Sequence, residues 1–245
     1  KYNVSVINNV GISHSKKKFD FLICFGGDGT ILDATTIVQK TEIPIVGINI
    51  GRLGFLATIS KNEISSLMNH LENKNYSLSR RTLIEIYGGN SEIDFPYSLN
   101  EISVSSKENS SMINIKVFLN DNYLNTYWAD GLIVSTPTGS TGYSLSCGGP
   151  ILLPENENFI ISPVSPHNLN IRPLIVPDTS EFSFEVESRT NNFLISLDSR
   201  SQTVNDNIQM TVKKAPFKAY LIKVGGLSFI ETLRNKLSWG LDKRN

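Results

Sequence analysis

Gly26-Gly27-Asp28-Gly29-Thr30 separates a stretch that reads as a buried strand from one that reads as a helix, and this junction restricts the possible folds more than any other feature. Before it, Phe19-Asp20-Phe21-Leu22-Ile23-Cys24-Phe25 is a nearly continuous apolar run, which suits a strand buried on both faces of a parallel sheet. After it, Ile31, Leu32, Ala34, Thr35 and Val38 recur at helical spacing, and Ile43-Pro44-Ile45-Val46-Gly47-Ile48 supplies a second buried strand. A parallel strand pair joined by a helix is a right-handed βαβ unit. A further helix is predicted over 61–74, with Ile64, Leu67, Met68 and Leu71 on one face.

Glycines at such a junction let the backbone turn sharply and bring N–H groups close to a ligand, while the start of the following helix favours negative charge. The expected guest is a phosphate. A plain strand-to-helix turn, with Asp28 or Thr30 capping the helix, has the same spacing. Asp28 differs from an ordinary cap in having glycine on both sides, which exposes its carboxylate to the crevice at the carboxyl end of the strand.

From about residue 80 the texture changes to short alternating runs: Ser98–Ser105, Ile113–Leu119, Tyr123–Trp128, Leu174–Val176, Phe182–Val186, Phe193–Leu197, Ile208–Val212 and Ala219–Val224. Asn120-Asp121-Asn122 reads as a tight hairpin connection. Many short strands at regular spacing predict an antiparallel, sandwich-like second domain. The tail returns to helix, with Phe229, Leu233, Leu237 and Leu241 spaced four apart.

The chain's 245 residues suffice for one large domain or two modest ones. Lys plus Arg (23) balance Asp plus Glu (23), so nothing in the charge draws it to nucleic acid or an anionic membrane. No apolar run approaches the length of a membrane span, and the first residues carry no secretory signal pattern. The two cysteines, Cys24 and Cys147, have no Cys or His at ligand spacing, which fits a reducing, cytoplasmic compartment. The chain opens on Lys1 instead of Met, so it is expected to be a fragment of the encoded protein.

Two further clusters carry chemistry. Thr136-Pro137-Thr138-Gly139-Ser140-Thr141-Gly142-Tyr143-Ser144-Leu145-Ser146 follows the strand-like Gly131-Leu132-Ile133-Val134 and offers neutral donors and acceptors for sugar hydroxyls, amides and phosphates. Tyr143 adds a ring that can stack on a base, although a solvated loop has a similar composition. No Gly-x-Ser-x-Gly is present here and none of His14, His70 and His167 is tied to the cluster, so a serine hydrolase has little support. The other cluster is Asn100-Glu101 together with Asp130. Neighbours on a strand point to opposite faces, so one of Asn100 and Glu101 is expected simply to face solvent, and Asp130-Gly131 also fits a turn.

Taken in order, these motifs resemble the NAD kinase family, which phosphorylates the 2′-hydroxyl on the adenosine ribose of NAD. The family's Gly-Gly-Asp-Gly-Thr stands at Gly26–Thr30, its Leu-Gly-Phe-Leu at Leu53–Leu56, its Asn-Glu at Asn100-Glu101, and its Asp-Gly and Thr-Pro-Thr-Gly-Ser-Thr elements within Asp130–Thr141. Ser165-Pro166-His167 and Arg172-Pro173 follow, so the resemblance extends from Phe19 to Asn245. It implies an N-terminal Rossmann-like α/β domain over 1–94, incomplete here. A C-terminal antiparallel β-sandwich-like domain would cover 95–227, with a C-terminal helix, 228–245, packing back on the first domain.

The resemblance also implies roles. Asp28 would accept the proton of the 2′-hydroxyl as it attacks the γ-phosphoryl group of ATP or of polyphosphate. Gly26, Gly27, Gly29 and Thr30 would form the phosphate-donor loop, with Gly29 against the dinucleotide and Phe55 near the adenine. Asn100 and Glu101 would hold the ribose or adenine. Asp130, Thr138, Thr141, Gly142, Tyr143, Ser144, Leu145 and Ser146 would grip the nicotinamide half. A divalent cation, Mg²⁺, would accompany the donor, with no side chain assigned to it. The partners implied are NAD and a nucleoside triphosphate, with no nucleic acid and no membrane, in a homodimer or homotetramer.

Three positions depart from the family pattern or match it loosely. The stretch before Phe19 is short for the family's first strand and helix, although Tyr2–Ile7 reads as a surviving strand. Asp33 adds a carboxylate that would repel phosphates unless it faces away or helps hold Mg²⁺. Arg200 matches a family contact to the dinucleotide only loosely. The alternatives are a diacylglycerol-type lipid kinase, which shares the glycine turn, and a non-catalytic dinucleotide-binding protein.

Overall fold

The computed structural model describes residues 4–6, 18–88, 93–108, 111–206, 208–225 and 228–239. The chain divides into two compact units, one of Lys1–Ser79 with Ala219–Asn245 and the other of Arg80–Lys218. The expected division lay at 94/95 and 227/228. It falls earlier at both places because residues 80–88 already belong to antiparallel structure, where Ile84 pairs with Ser98, while Leu221 already pairs with Ile45 of the first unit.

In the first unit, strands Leu22–Gly26 and Ile45–Asn49 run parallel from Leu22↔Ile45 to Gly26↔Asn49, and helix Asp28–Val38 connects them. The helix buries Ile31, Ala34, Thr35 and Val38, the stripe its spacing predicts. Strand Ile45–Asn49 is buried throughout because it also pairs, in parallel, with Ile59–Ser60 and with Leu221. Val46, Ile48, Ile59, Leu67, Leu71 and Ile222 form a core around it.

Among the described residues, strand Leu22–Gly26 pairs with Ile45–Asn49 alone, and Ile23 and Phe25 are 36% and 55% exposed. Helix Ile64–Glu72 is preceded by a capping box, in which Ser60 accepts from the backbone while Glu63 accepts from Ser60 N–H. Helix Phe229–Leu237 starts at a second such box, Ser228 with Glu231. Leu241 lies outside the described residues. So do Tyr2, Asn3 and Ile7 of the anticipated first strand, and Val4–Val6 show no regular structure.

The second unit is a pair of antiparallel sheets. One has the order Leu174–Pro177, Asn158–Val164, Gly131–Ser135, Glu101–Ser105, Asn192–Leu197, Arg200–Asn205. The other sets Asn122–Ala129 beside Ile113–Leu119, then Phe182–Glu187, then the first part of strand Gln209–Lys223. Alternate side chains of both sheets meet in one core, with Ile102, Val104, Phe159 and Phe193 from the first and Ile115, Val117, Phe182 and Phe184 from the second. The hairpin at Asn120-Asp121 has both residues left-handed, at φ 48° and 62°, which matches the twist of the strands it joins.

An α/β unit and an antiparallel sandwich are what the sequence predicts. Strand Asn158–Val164 escaped that reading, since it is buried nearly end to end and so does not alternate, and it carries Pro163 opposite Leu132.

Candidate active site

In the first unit the glycine turn is built around one carboxylate. Asp28 is the first residue of its helix, yet neither it nor Thr30 caps that helix, because the N-cap Gly27 has no side-chain partner. The Asp28 carboxylate instead accepts three backbone N–H groups from the segment after Gly54: Oδ2 from Phe55 (2.8 Å), and Oδ1 from Leu56 (2.9 Å) and Ala57 (3.1 Å). These donors lie in a loop, with no strand of their own to satisfy them. A Cβ at Gly54 would overlap Asp28 Oδ1 and Cγ, and one at Gly26 would overlap Thr30 Oγ1. The two motifs, Gly-Gly-Asp-Gly-Thr and Leu-Gly-Phe-Leu, are therefore two sides of one contact.

A carboxylate has about four acceptor positions, and three of Asp28's are filled. The remaining one is on Oδ2, which Lys236 Nζ of the C-terminal helix faces at 3.6 Å. Lys236 also stands 5.1 Å from the centre of the Phe55 ring, and Phe229 lies 6.0 Å away on that ring. Phe55 is 9% exposed, and its backbone N–H is one of the three that hold Asp28. Added Cβ atoms at Gly27 and Gly29 would meet nothing within 4 Å, so the backbone at the start of the helix is bare and open. Asp33 is exposed, on the side of the helix away from its buried stripe.

In the second unit, Asn100 and Glu101 do not alternate as strand neighbours would. Asn100 occupies a bend, and the strand begins at Glu101. Both side chains consequently reach Gly142, where an added Cβ would stand 2.9 Å from Glu101 Oε2 and 3.4 Å from Asn100 Nδ2. Asn100 Oδ1 and Glu101 Oε2 are buried and have no hydrogen-bond partner, an arrangement that costs free energy unless a ligand supplies one. Burial pushes the Glu101 carboxyl up to about 8, the nearby Asp198 charge adds to the rise, and the Tyr143 N–H opposes it. Glu101 is then a neutral acid at pH 7, able to donate as well as accept.

Asp198 itself accepts from Leu99, Asn100 and Glu101 N–H at 2.9, 2.8 and 3.2 Å. Its own carboxyl is raised by burial, against the pull of those bonds and of Arg200.

The hydroxyl-rich segment is not a solvated loop. It forms two short turns, Thr138–Thr141 and Tyr143–Ser146, and most of its hydroxyls face inward. Thr136 Oγ1 donates to Leu99 O (2.6 Å), Ser135 Oγ to Asn100 O (3.3 Å) and Ser140 Oγ to Pro137 O (2.7 Å). Thr138 accepts from Arg81, a buried guanidinium pulled down to about 10 by burial against the opposing charge of Glu155. Ser144 bonds Ser162 at 3.0 Å.

Thr138 and Ser144 are buried, and their hydroxyls have partners inside the protein. Tyr143 and Ser146 are exposed, while Thr141, Gly142 and Leu145 are half-buried. Asp130 is exposed where two strands meet, close enough for its charge to raise the Tyr143 hydroxyl, whose main cause of elevation is desolvation.

Sequence reading passed over Asp198, Arg81 and Lys236. Each acts on residues 57 or more positions away, and no local spacing announces that. Arg200 was noted, but its guanidinium goes to protein carbonyls: Nη1 donates to Asp94 O (3.2 Å) and Phe95 O (2.7 Å), and Nη2 to Tyr97 O (2.5 Å).

A glycine turn with a held carboxylate after a parallel strand, and a sandwich unit with orphaned polar atoms beside a small-residue loop, define a nucleotide-handling protein. The ATP-NAD kinase N-terminal domain matches residues 3–76, and the ATP-NAD kinase C-terminal domain matches residues 99–224. The chain is 51% identical over 229 residues to an NAD kinase of Cytophaga hutchinsonii, covering 93% of this chain and 78% of that protein. With an NAD kinase of Flavobacterium psychrophilum it shares 53% identity over 232 residues, 94% of this chain and 79% of the other. Among solved structures, yeast NADH kinase complexed with NADH superposes with a TM-score of 0.85 at 25% identity, covering 91% of this chain and 68% of that one. An NAD kinase from Archaeoglobus fulgidus in complex with ATP gives 0.79 at 28%, covering 96% and 87%. The chain belongs to the NAD kinase family, enzymes that phosphorylate NAD to NADP.

Proposed function

We propose that this chain transfers the γ-phosphoryl group of ATP to the 2′-hydroxyl of the adenosine ribose of NAD, with Asp28 as the proton acceptor. The observation that carries the assignment is the Asp28 carboxylate itself, fixed by three backbone N–H groups with its remaining acceptor position on Oδ2. A hydroxyl arriving there meets a base that cannot swing away, so the nucleophile is aligned before transfer. Lys236 balances the charge of the Asp28 carboxylate before transfer, a charge that is neutralised when the proton is taken. Gly27 and Gly29 leave backbone N–H groups bare for the phosphates of the donor, a role that inorganic polyphosphate would serve equally. ATP enters as its Mg²⁺ complex, a substrate whose cation neutralises the phosphates.

Asn100 Oδ1 and Glu101 Oε2 find in the dinucleotide the partners they lack, its hydroxyls or amino group, while Gly142 gives it room to approach. The Tyr143 ring, 45% exposed, stacks on it, and Asp130, Thr141, Leu145 and Ser146 border that contact. The reading includes action in the cytoplasm, in keeping with free thiols at Cys24 and Cys147, and assembly as a homodimer or homotetramer. Among the described residues no helix is long and apolar enough to cross a membrane.

Phosphorus NMR of the product made from NAD and MgATP tests the assignment. A 2′-phosphate is expected, and NAD lacking the 2′-hydroxyl should bind without turnover. A 3′-phosphate, or turnover of the deoxy analogue, would overturn it.

A further inference from the structure

Residues 94–101, which end in the Asn-Glu pair, take hydrogen bonds from both sides of one hairpin turn. Leu197 and Arg200 are the last paired residues of a hairpin, and Asp198 at its tip is left-handed, with φ 53°. From that tip the Asp198 carboxylate takes three consecutive N–H groups, Leu99 on Oδ2 and both Asn100 and Glu101 on Oδ1. Its own N–H returns a bond to Glu101 O at 3.1 Å. From the same turn Arg200 donates to the carbonyls of Asp94, Phe95 and Tyr97 and lies 5.3 Å from the centre of the Phe95 ring. Asp198 thus answers the three donors of 99–101 and Arg200 three carbonyls of 94–97, while Thr136 bonds the carbonyls of Leu99 and Asn100.

We propose that Asp198 is a positioning residue for the dinucleotide: with Arg200 it fixes the backbone of 99–101 so that Asn100 and Glu101 present their side chains together at Gly142. This rests on the assignment of Asn100 and Glu101 as dinucleotide contacts. Two observations favour a positioning role over a merely structural one. The backbone that Asp198 holds bears two of the five buried side-chain atoms left without hydrogen-bond partners among the described residues, Asn100 Oδ1 and Glu101 Oε2. Asp198 also sets the electrostatic surroundings of Glu101, whose other titratable neighbours are Tyr143 and Cys147, while Arg200 acts on Asp198. A shift of about 1 Å in such a pair costs on the order of 10²-fold in function.

The test compares Asp198→Ala, Asp198→Asn and Asn100→Ala by calorimetry with NAD and by steady-state kinetics from about pH 6 to 9. Asp198→Ala removes all three bonds and should raise the Kd and KM for NAD roughly tenfold or more, with a smaller change in kcat. Asp198→Asn keeps the two bonds on Oδ1 but loses the charge, so the pH midpoint of NAD affinity should move to lower pH. A structural role alone would not produce that movement, and if Asp198→Ala fails to fold the midpoint in Asp198→Asn decides. Folded Asp198 variants with unchanged Kd and an unmoved midpoint, while Asn100→Ala binds weakly, would overturn the positioning role alone. Normal binding by Asn100→Ala would overturn the dinucleotide assignment and this proposal with it.

Discussion

Asp28 differs from a generic acid at the head of a helix in where its hydrogen bonds go, to the 55–57 amides rather than to its own first turn. Its replacement by Asn therefore has a specific signature. The amide oxygen keeps the bonds to Leu56 and Ala57, while the amide nitrogen faces the Phe55 N–H and can accept no proton. Asp28→Asn should lower kcat by about 10²-fold or more and leave NAD binding little changed. Retained turnover in a folded variant, measured as NADP formation, would assign the base elsewhere. Phe55 shows the same contact from the other partner, since its backbone nitrogen donates to Asp28 and its ring lies beside Phe229 and Lys236.

Between elements, the contact of the helix start with the 54–57 loop depends on the missing side chain at Gly54. Gly54→Ala places a methyl where the Asp28 carboxylate stands, so the carboxylate or the loop must yield. The expected cost is about 1–3 kcal/mol of stability, read from the urea unfolding midpoint, together with a fall in kcat approaching that of Asp28→Asn. An unchanged midpoint and unchanged kcat would mean that the two motifs are neighbours without being coupled. Element identity was legible in the sequence where one period ruled: the stripe Ile31, Ala34, Thr35, Val38 and the hairpin at Asn120-Asp121 stand where spacing and turn chemistry set them. It failed where tertiary neighbours decide. Thr138 and Ser144 belong to a hydroxyl-rich run whose polar atoms turn inward to Arg81 and Ser162. The candidate residues were visible as motifs, but what each atom touches was not, because Asp198 and Arg81 reach them from distant parts of the chain.

For the molecule as a whole, Glu101 ties stability to pH. A carboxyl raised from 4.5 to about 8 on folding binds its proton more tightly in the native state. Its stabilising contribution is therefore complete below about pH 4.5 and is lost as pH rises through about 8. Glu101→Gln carries no titrating group and should gain on the wild type across that interval, by up to about 1.4 kcal/mol per pH unit. Denaturant midpoints measured along the pH axis without NAD check this, and parallel curves for the two proteins would show that Glu101 ionises freely. The turn at Asp198 also has a consequence in time. Asn100 is translated 98 residues before the carboxylate that holds it, an interval of roughly 5 to 20 seconds at about 5–20 residues per second. Throughout that interval the nascent chain carries its recognition pair on a backbone with three unanswered donors, so the growing chain becomes competent for its dinucleotide only once ribosomal synthesis has passed Asp198.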